Sequence, residues 1–165
     1  MIAFPLVAAQ AEASPAASTS GLVDIGGRAL YREVRGSGTP TVVLEAGAGN
    51  DHRIWDAIAL PPGSTGIAVM DGVSAFTRVC AYDRPGTFLD PGQPGRSDPV
   101  LMPRTAADIV ADLHALLGAA ALPGPHVLVG HSFGGLVARL YASTYPEDVV
   151  GMVLVDAAQE DYYAA

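Results

Sequence analysis

The sequence of 165 residues contains no lysine and a single cysteine, Cys80. Its nine arginines form no basic run, 17 residues are acidic, and the net charge is −8. Because proteins that bind nucleic acid or anionic membranes carry basic patches, we expect neither as a partner. One cysteine excludes an internal disulfide and a cysteine-rich metal site, and its apolar surroundings predict a buried thiol. We expect no metal and no other cofactor.

Long apolar runs are also missing, and no stretch is long enough to span a bilayer. Residues 2–9 are apolar and precede small residues, as in the later part of a secretory signal, but the usual basic region before them is absent. Cytoplasmic and exported locations both stay open. We expect residues 1–20 to be a disordered leader or partial signal-like segment outside the fold, and residues 21–165 to form one domain.

The rest of the chain alternates between strand-like and helix-like patterns. A hairpin turning at Gly26-Gly27 comes first, and residues 84–103 are expected to form a long loop. Four buried strands are predicted at 41–47, 77–83, 126–130 and 149–157, and three helices at 54–60, 104–118 and 133–146. Residues 61–76 stay unassigned. The pattern predicts an α/β fold: a mostly parallel sheet with an N-terminal antiparallel hairpin and flanking helices.

The segment "VLVGHSFGGLVARLYA" contains Gly-x-Ser-x-Gly between a predicted strand and a predicted helix. This context forces Ser132 onto a sharp, strained turn with an exposed hydroxyl, as expected of a nucleophile. The alternative is an ordinary strand–turn–helix connection with an incidental serine. A tetrahedral oxyanion needs backbone N–H donors. We predict Phe133 as one donor, and Ala48 in "EAGAGN" as the second.

The same glycine-rich stretch, "GAGNDH", also invites comparison with a dinucleotide-binding fingerprint. His52 stands where the third glycine belongs, and the stretch follows the third strand-like run, whereas the fingerprint follows the first. Both facts argue against a nucleotide cofactor.

Four segments in this order, "VVLEAGAGN", "RVCAYDRPG", "VLVGHSFGG" and "MVLVDA", resemble the α/β-hydrolase fold family of esterases, lipases and related enzymes. The resemblance extends over roughly residues 22–160. It implies ester-type hydrolysis of a small-molecule substrate through an acyl-enzyme on Ser132. Two features depart from the family: Ala46-Gly47 replaces the common His-Gly, and the loop "DRPGTFLDPGQPGRSDP" is longer than usual.

The family's chain order places an acid and then a histidine after the nucleophile, yet no histidine follows His131. We therefore expect a C-terminally truncated member that lacks the final strands, the lid and the catalytic histidine. Asp156, at the end of the last predicted strand, is either the acid or a loop-organising residue. The alternative is a non-catalytic remnant, or a subunit completed by another polypeptide. As an exposed edge, the last strand would promote self-association.

The four histidines present are poor substitutes for the missing base. His131 is expected to pack beneath the turn, and His126 lies six residues from Ser132, about 20 Å along a strand. His114 is predicted on the polar side of a helix. His52 follows a strand at the active-site edge, where we expect a substrate-pocket or surface role. Asp83 is interpreted as structural.

Overall fold

The computed structural model describes residues 18–57 and 65–160, which form a six-stranded sheet with helices on both faces. Its strands are β1 (Ser18–Asp24), β2 (Ala29–Arg35), β3 (Thr41–Glu45), β4 (Val79–Tyr82), β7 (His126–His131) and β8 (Val149–Val155), in the spatial order β1-β2-β4-β3-β7-β8. β1 and β2 pair antiparallel with each other, β2 pairs antiparallel with β4, and all other pairs are parallel. The predicted fold class is confirmed.

The N-terminal hairpin begins earlier than the sequence suggests. β1 starts at Ser18, which pairs with Arg35, so residues 18–20 belong to the sheet and not to a leader. The turn lies where it was predicted, with Gly26 and Gly27 at φ values of 92° and 100°. The rest of the predicted leader, residues 1–17, lies outside the described part of the chain.

Between β3 and the next long helix, two predictions need correction and one unassigned stretch gains a helix. The short helix predicted at 54–60 is a 3-10 turn at His52–Trp55, because the Asp51 side chain accepts a hydrogen bond from Arg53 N and starts the turn earlier; residues 58–60 lie outside the described part. The unassigned stretch contains helix α1 (Val69–Ser74). The expected long loop carries a small ribbon of two strands, β5 (Phe88–Asp90) and β6 (Gln93–Pro94).

The two longer helices lie where the sequence predicts them. Helix α2 (Ala106–Ala119) begins with a capping box in which the Thr105 and Asp108 side chains each bond to the other's backbone N–H. Helix α3 (Phe133–Thr144) follows β7 directly and buries Val137 and Tyr141 against α2 and the sheet. No helix within residues 18–57 and 65–160 is long and apolar enough to cross a membrane.

Apolar side chains cover both faces of the central strands. Val43, Cys80 and Leu128 pack with α2 and α3, whereas Val42 and Leu44 pack with Trp55 and α1 on the opposite face. Since successive side chains of a strand point to opposite faces, this is the packing expected of a sheet that is covered on both sides. Because β3, β4, β7 and β8 run parallel to one another, their carboxyl ends lie along one edge of the sheet.

Candidate active site

Ser132 lies in the single-residue turn between β7 and α3. Its φ of 53° and ψ of −121° fall in a region that L-residues rarely adopt, at a cost of about 1–3 kcal/mol. Hydrogen bonds hold both of its backbone groups. Ser132 N donates to Val155 O at 3.1 Å, and Ser132 O accepts from Gly135 N and Ala158 N, both at 3.0 Å. The strain is therefore fixed by β8 and by the first turn of α3.

The motif's glycines are needed because the turn packs closely against neighbouring backbone. A Cβ at Gly134 would overlap Glu45 O and lie 2.7 Å from Ala46 O, and a Cβ at Gly130 would lie 2.6 Å from Gly134 O. Contacts this short with backbone do not occur in proteins. The Gly-x-Ser-x-Gly spacing thus lets β7, α3 and the end of β3 come together around Ser132.

The loop that follows β3 passes beside Ser132. A Cβ at Gly47 would lie 3.4 Å from Ser132 Cβ, so the backbone of this loop borders the serine. The loop then turns back on itself: Asn50 N donates to Gly47 O at 3.3 Å, and Gly49 has a φ of 74°. Ala48 and Phe133, the two predicted oxyanion donors, line one cavity of about 260 Å³. Their roles as oxyanion donors stay a prediction.

A buried charged network beneath this loop is absent from the sequence-based prediction. Arg84 forms an ion pair with Glu45 and donates hydrogen bonds to Ala46 O, at 2.6 Å, and to Gly47 O. Tyr82 OH donates to Glu45 Oε2 at 2.5 Å. Burial raises the pKa of Glu45, and the Arg84 charge opposes that rise. One signal was available in the sequence, namely a glutamate within the apolar run of β3.

Three histidines lie where the sequence places them. The His131 ring packs edge-on against Trp55, with ring centroids 6.4 Å apart, and His126 is buried at the start of β7. His114 is partly exposed on α2 and stacks on Tyr145 at 3.9 Å. Within the described residues, none of these rings forms a hydrogen bond to Ser132.

His52 does not have the expected pocket or surface role. It is 3% exposed, its backbone N donates to Asp83 Oδ1 at 2.9 Å, and its Nδ1 lies 2.6 Å from the same oxygen. Arg96 Nη1 lies 3.2 Å from its Nε2. The cap at Asp51 turns the chain so that the ring points inward. Asp83 is fully buried, as its structural interpretation requires.

Asp51, His52 and Asp83 each offer a ligand atom, and these atoms lie within 4.8 Å of one another. Their chemistry fits a structural network better than a metal centre. Arg53 donates to both carboxylate oxygens of Asp51, from Nε to Oδ1 at 3.0 Å and from Nη2 to Oδ2 at 2.8 Å, and the Arg96 guanidinium lies against the His52 ring. Arg53 already pairs with Asp51, and Arg96 Nη1 lies 4.0 Å from Asp83 Oδ2, so two cations lie beside the carboxylates that a metal ion would need.

Asp156 lies near Ser132 at the edge of the sheet. His131 and Val155 are register partners and the last residues of β7 and β8. Ser132 and Asp156 therefore directly follow two neighbouring strands. Asp156 is exposed and has a φ of 44°. Among the described residues its carboxylate has no hydrogen bond or ion pair. Its role as an acid stays a prediction.

The structure combines an α/β sheet, a strand–serine–helix turn and a glycine-rich loop beside the serine. This combination is typical of α/β hydrolases, and comparison with known proteins gives the family. Residues 42–164 match the model of the alpha/beta hydrolase family. The chain belongs to that family.

Individual relatives carry different names. The probable transporter efuK of Hormonema carpetanum is 34% identical over 152 residues, 88% of this chain and 20% of the relative. The pimeloyl-[acyl-carrier protein] methyl ester esterase of Chromobacterium violaceum is 42% identical over 128 residues, 76% of this chain and 40% of the relative. This chain thus spans less than half of either protein.

A solved structure shows the same fold. The 2-hydroxy-6-oxo-6-phenylhexa-2,4-dienoate hydrolase of Rhodococcus sp. strain RHA1 superimposes with a TM-score of 0.67 and 20% identity, covering 87% of this chain and 47% of that one. At this identity the likeness establishes the fold alone. The chain corresponds to the N-terminal portion of the α/β-hydrolase fold.

Proposed function

We propose that this chain carries the nucleophile and oxyanion hole of a serine hydrolase that acts on small ester-like substrates. Ser132 Oγ attacks the ester carbonyl carbon, a C–O bond forms, and the carbonyl π electrons move onto the oxygen. The N–H groups of Ala48 and Phe133 stabilise this oxyanion. The oxyanion then collapses to a carbonyl, the C–O bond to the alcohol breaks, and the alkoxide leaves with the proton that the Ser132 hydroxyl released. Water hydrolyses the acyl-enzyme to a carboxylic acid and returns a proton to Ser132 Oγ.

The observation that carries the proposal is the approach of the glycine-rich loop to the strained serine. Gly47 borders the Ser132 side chain, and Ala48 shares a cavity with Phe133. A nucleophile and two backbone donors on separate elements are what acyl transfer requires. The esterase of Chromobacterium violaceum is in line with an ester substrate.

Proton transfer is the part of the reaction that the described residues do not supply. Serine is a weak nucleophile without a neighbouring base, and Asp156 is proposed as the acid that would orient one. In serine proteases without their triad, binding and the oxyanion hole alone retain about 10³–10⁴-fold acceleration over water. We therefore expect slow, single-event reactions at Ser132 in this chain.

The test is covalent labelling by an alkyl fluorophosphonate, followed by intact mass spectrometry over several hours. We expect one adduct on Ser132 in the folded chain, and none in urea or in the Ser132→Ala variant. A folded preparation that gains no adduct, or that gains it equally in Ser132→Ala, would overturn the proposal.

A second proposal concerns the edge of β8. Val150, Val153, Leu154 and Val155 on this strand are 42–59% exposed, although the strand is apolar throughout. Unpaired apolar edges favour the addition of a further strand. We propose that this edge pairs with another strand, either in a self-associated form or in a subunit completed by another polypeptide that carries the histidine. Light scattering tests self-association, and a stable monomer over a wide concentration range contradicts it. Co-expression tests completion, and persistent failure to bind a polypeptide with the C-terminal part of a relative contradicts it.

A further inference from the structure

We infer that Arg84 is a positioning residue that sets the orientation of the Gly47–Ala48 peptide, and thereby directs the Ala48 N–H toward the oxyanion. This inference rests on the proposed function for its catalytic meaning. Its structural basis is the buried contact between the Arg84 guanidinium and the loop after β3.

The first step is the geometry of the carbonyl contacts. Arg84 Nη1 donates to Ala46 O at 2.6 Å, and Arg84 Nη2 donates to Gly47 O. Arginine presents its N–H groups in a rigid, planar fork, so one guanidinium holds two successive carbonyl groups of the loop. Asn50 N adds a bond of 3.3 Å to Gly47 O.

The second step is the planarity of the peptide bond. In a trans peptide the C=O of one residue and the N–H of the next point in opposite directions, and the cis bonds within the described residues are all Xaa-Pro bonds. With Gly47 O held on Arg84, the Ala48 N–H must point away from Arg84. The peptide begins beside Ser132, since a Cβ at Gly47 would lie 3.4 Å from Ser132 Cβ, and the inference places the Ala48 N–H on the side of the serine.

Neighbouring side chains hold Arg84 itself in place. It is 6% exposed and forms a buried ion pair with Glu45, which is 2% exposed. The Tyr82 hydroxyl occupies the other carboxylate oxygen at 2.5 Å, and the Phe133 ring lies 5.7 Å from Arg84 Cζ. Contacts on several sides leave the guanidinium little freedom. A flexible side chain could not hold two carbonyl groups in this way.

The loop has no side-chain brace of its own at its start, because Ala46 offers no side-chain polar group. Here the preceding residue, Glu45, anchors an arginine that reaches the loop from below. We therefore assign the bracing function to the Glu45–Arg84 pair.

The test compares the wild-type chain with Arg84→Lys and with the double variant Glu45→Leu/Arg84→Met. Lysine keeps the charge beside Glu45 but lacks the fork. The double variant removes both charges, because a lone buried charge would threaten folding. The matched control is Arg35→Lys, since Arg35 also forms several ion pairs, but its partners among the described residues are Glu33, Asp56 and Asp71, which lie outside the loop after β3.

Two readouts separate positioning from function. The ¹³C shift of the Gly47 carbonyl and the ¹⁵N shift of the Ala48 amide report the peptide without any reaction at Ser132. The fluorophosphonate reaction reports catalysis. Labelling at several reagent concentrations gives two separate quantities, the labelling rate at saturating reagent and the half-saturating reagent concentration. Circular dichroism confirms which variants fold.

We expect both peptide shifts to move in each folded Arg84 variant and to stay unchanged in Arg35→Lys. The saturating labelling rate should fall about 10²–10³-fold, as when one oxyanion donor is lost, while the half-saturating concentration stays within about threefold. In wild type, the Ala48 amide proton should move downfield in the Ser132 adduct, which tests the orientation even if every Arg84 variant unfolds.

Two results would overturn the inference. One is an Ala48 amide proton shift that does not change when the Ser132 adduct forms, and the other is a folded Arg84 variant with wild-type peptide shifts and a wild-type labelling rate. If the peptide shifts move but the wild-type chain is never labelled, the proposed function fails and the positioning role of Arg84 stands.

Discussion

Replacing Gly134 by alanine should separate the packing of the serine turn from ordinary helix propensity. The residue lies in the first turn of α3, where alanine would normally stabilise a helix by about 1 kcal/mol. Here the added Cβ would overlap Glu45 O and lie 2.7 Å from Ala46 O. Because both obstacles are backbone, relief requires β3 and α3 to move apart.

The expected magnitude follows from these two opposing effects. Overpacking in a dense core costs about 1–3 kcal/mol, and a clash with two backbone oxygens lies at the upper end of that range. After subtracting the helix gain, we expect Gly134→Ala to lower the free energy of unfolding by about 2 kcal/mol. With a urea m-value of about 1–3 kcal/mol/M, the midpoint falls by about 1 M.

Equilibrium urea denaturation, followed by circular dichroism, measures this change. The matched control is Gly118→Ala in α2, where a Cβ meets no atom within 4 Å and where we expect a gain of about 0.5–1 kcal/mol. If Gly134→Ala proves as stable as Gly118→Ala, the close approach of β3 to the serine turn is wrong, and so is the placement of the loop beside Ser132.

Three further outcomes are expected. Ser132→Gly should raise the free energy of unfolding by about 1 kcal/mol, because glycine tolerates the φ of 53°; Ser132→Ala should give no such gain in the same denaturation assay. Burial raises the pKa of Cys80 to about 12, so Ellman's reagent at pH 8 should leave the native thiol unmodified and react fully in urea; rapid native reaction would contradict the buried core. Burial lowers the pKa of His126 in the folded chain, so His126 binds a proton more readily in the unfolded chain than in the folded one. Stability should therefore fall as the pH drops through about 6.5, and His126→Gln should flatten that part of a pH-dependent melting curve.

The elements around Ser132 could be predicted because their signals are local. The apolar run of β7, the two glycines of the turn and the apolar face of α3 lie within one short segment, and the period of the hydrophobic pattern is enough to identify each element. The capping box at Thr105 is equally local. Such features depend on neighbours three or four residues away, which the sequence shows directly.

The features that the sequence concealed depend on distant partners. Glu45 and Arg84 lie 39 residues apart, and only the parallel pairing of β3 with β4 brings them together. His52 was expected at the pocket edge because it follows a strand, but the cap at Asp51 turns the chain and Asp83 holds the ring. Similarly, the β5–β6 ribbon has too few residues for an alternating pattern to show.

The candidate site thus divides into a part that is set by backbone geometry and a part that moves protons. Ser132 is held by β8 and α3, Gly134 by the end of β3, and the Gly47 carbonyl by Arg84. Each of these restraints is made before a substrate binds, and under the proposed function the oxyanion donors would therefore be set in advance of the reaction. Activation of the hydroxyl depends on a base, and no described histidine bonds to Ser132. The Gly134 and Arg84 variants leave the second part unchanged, so their effect on the rate of a single covalent event at Ser132 measures the first part.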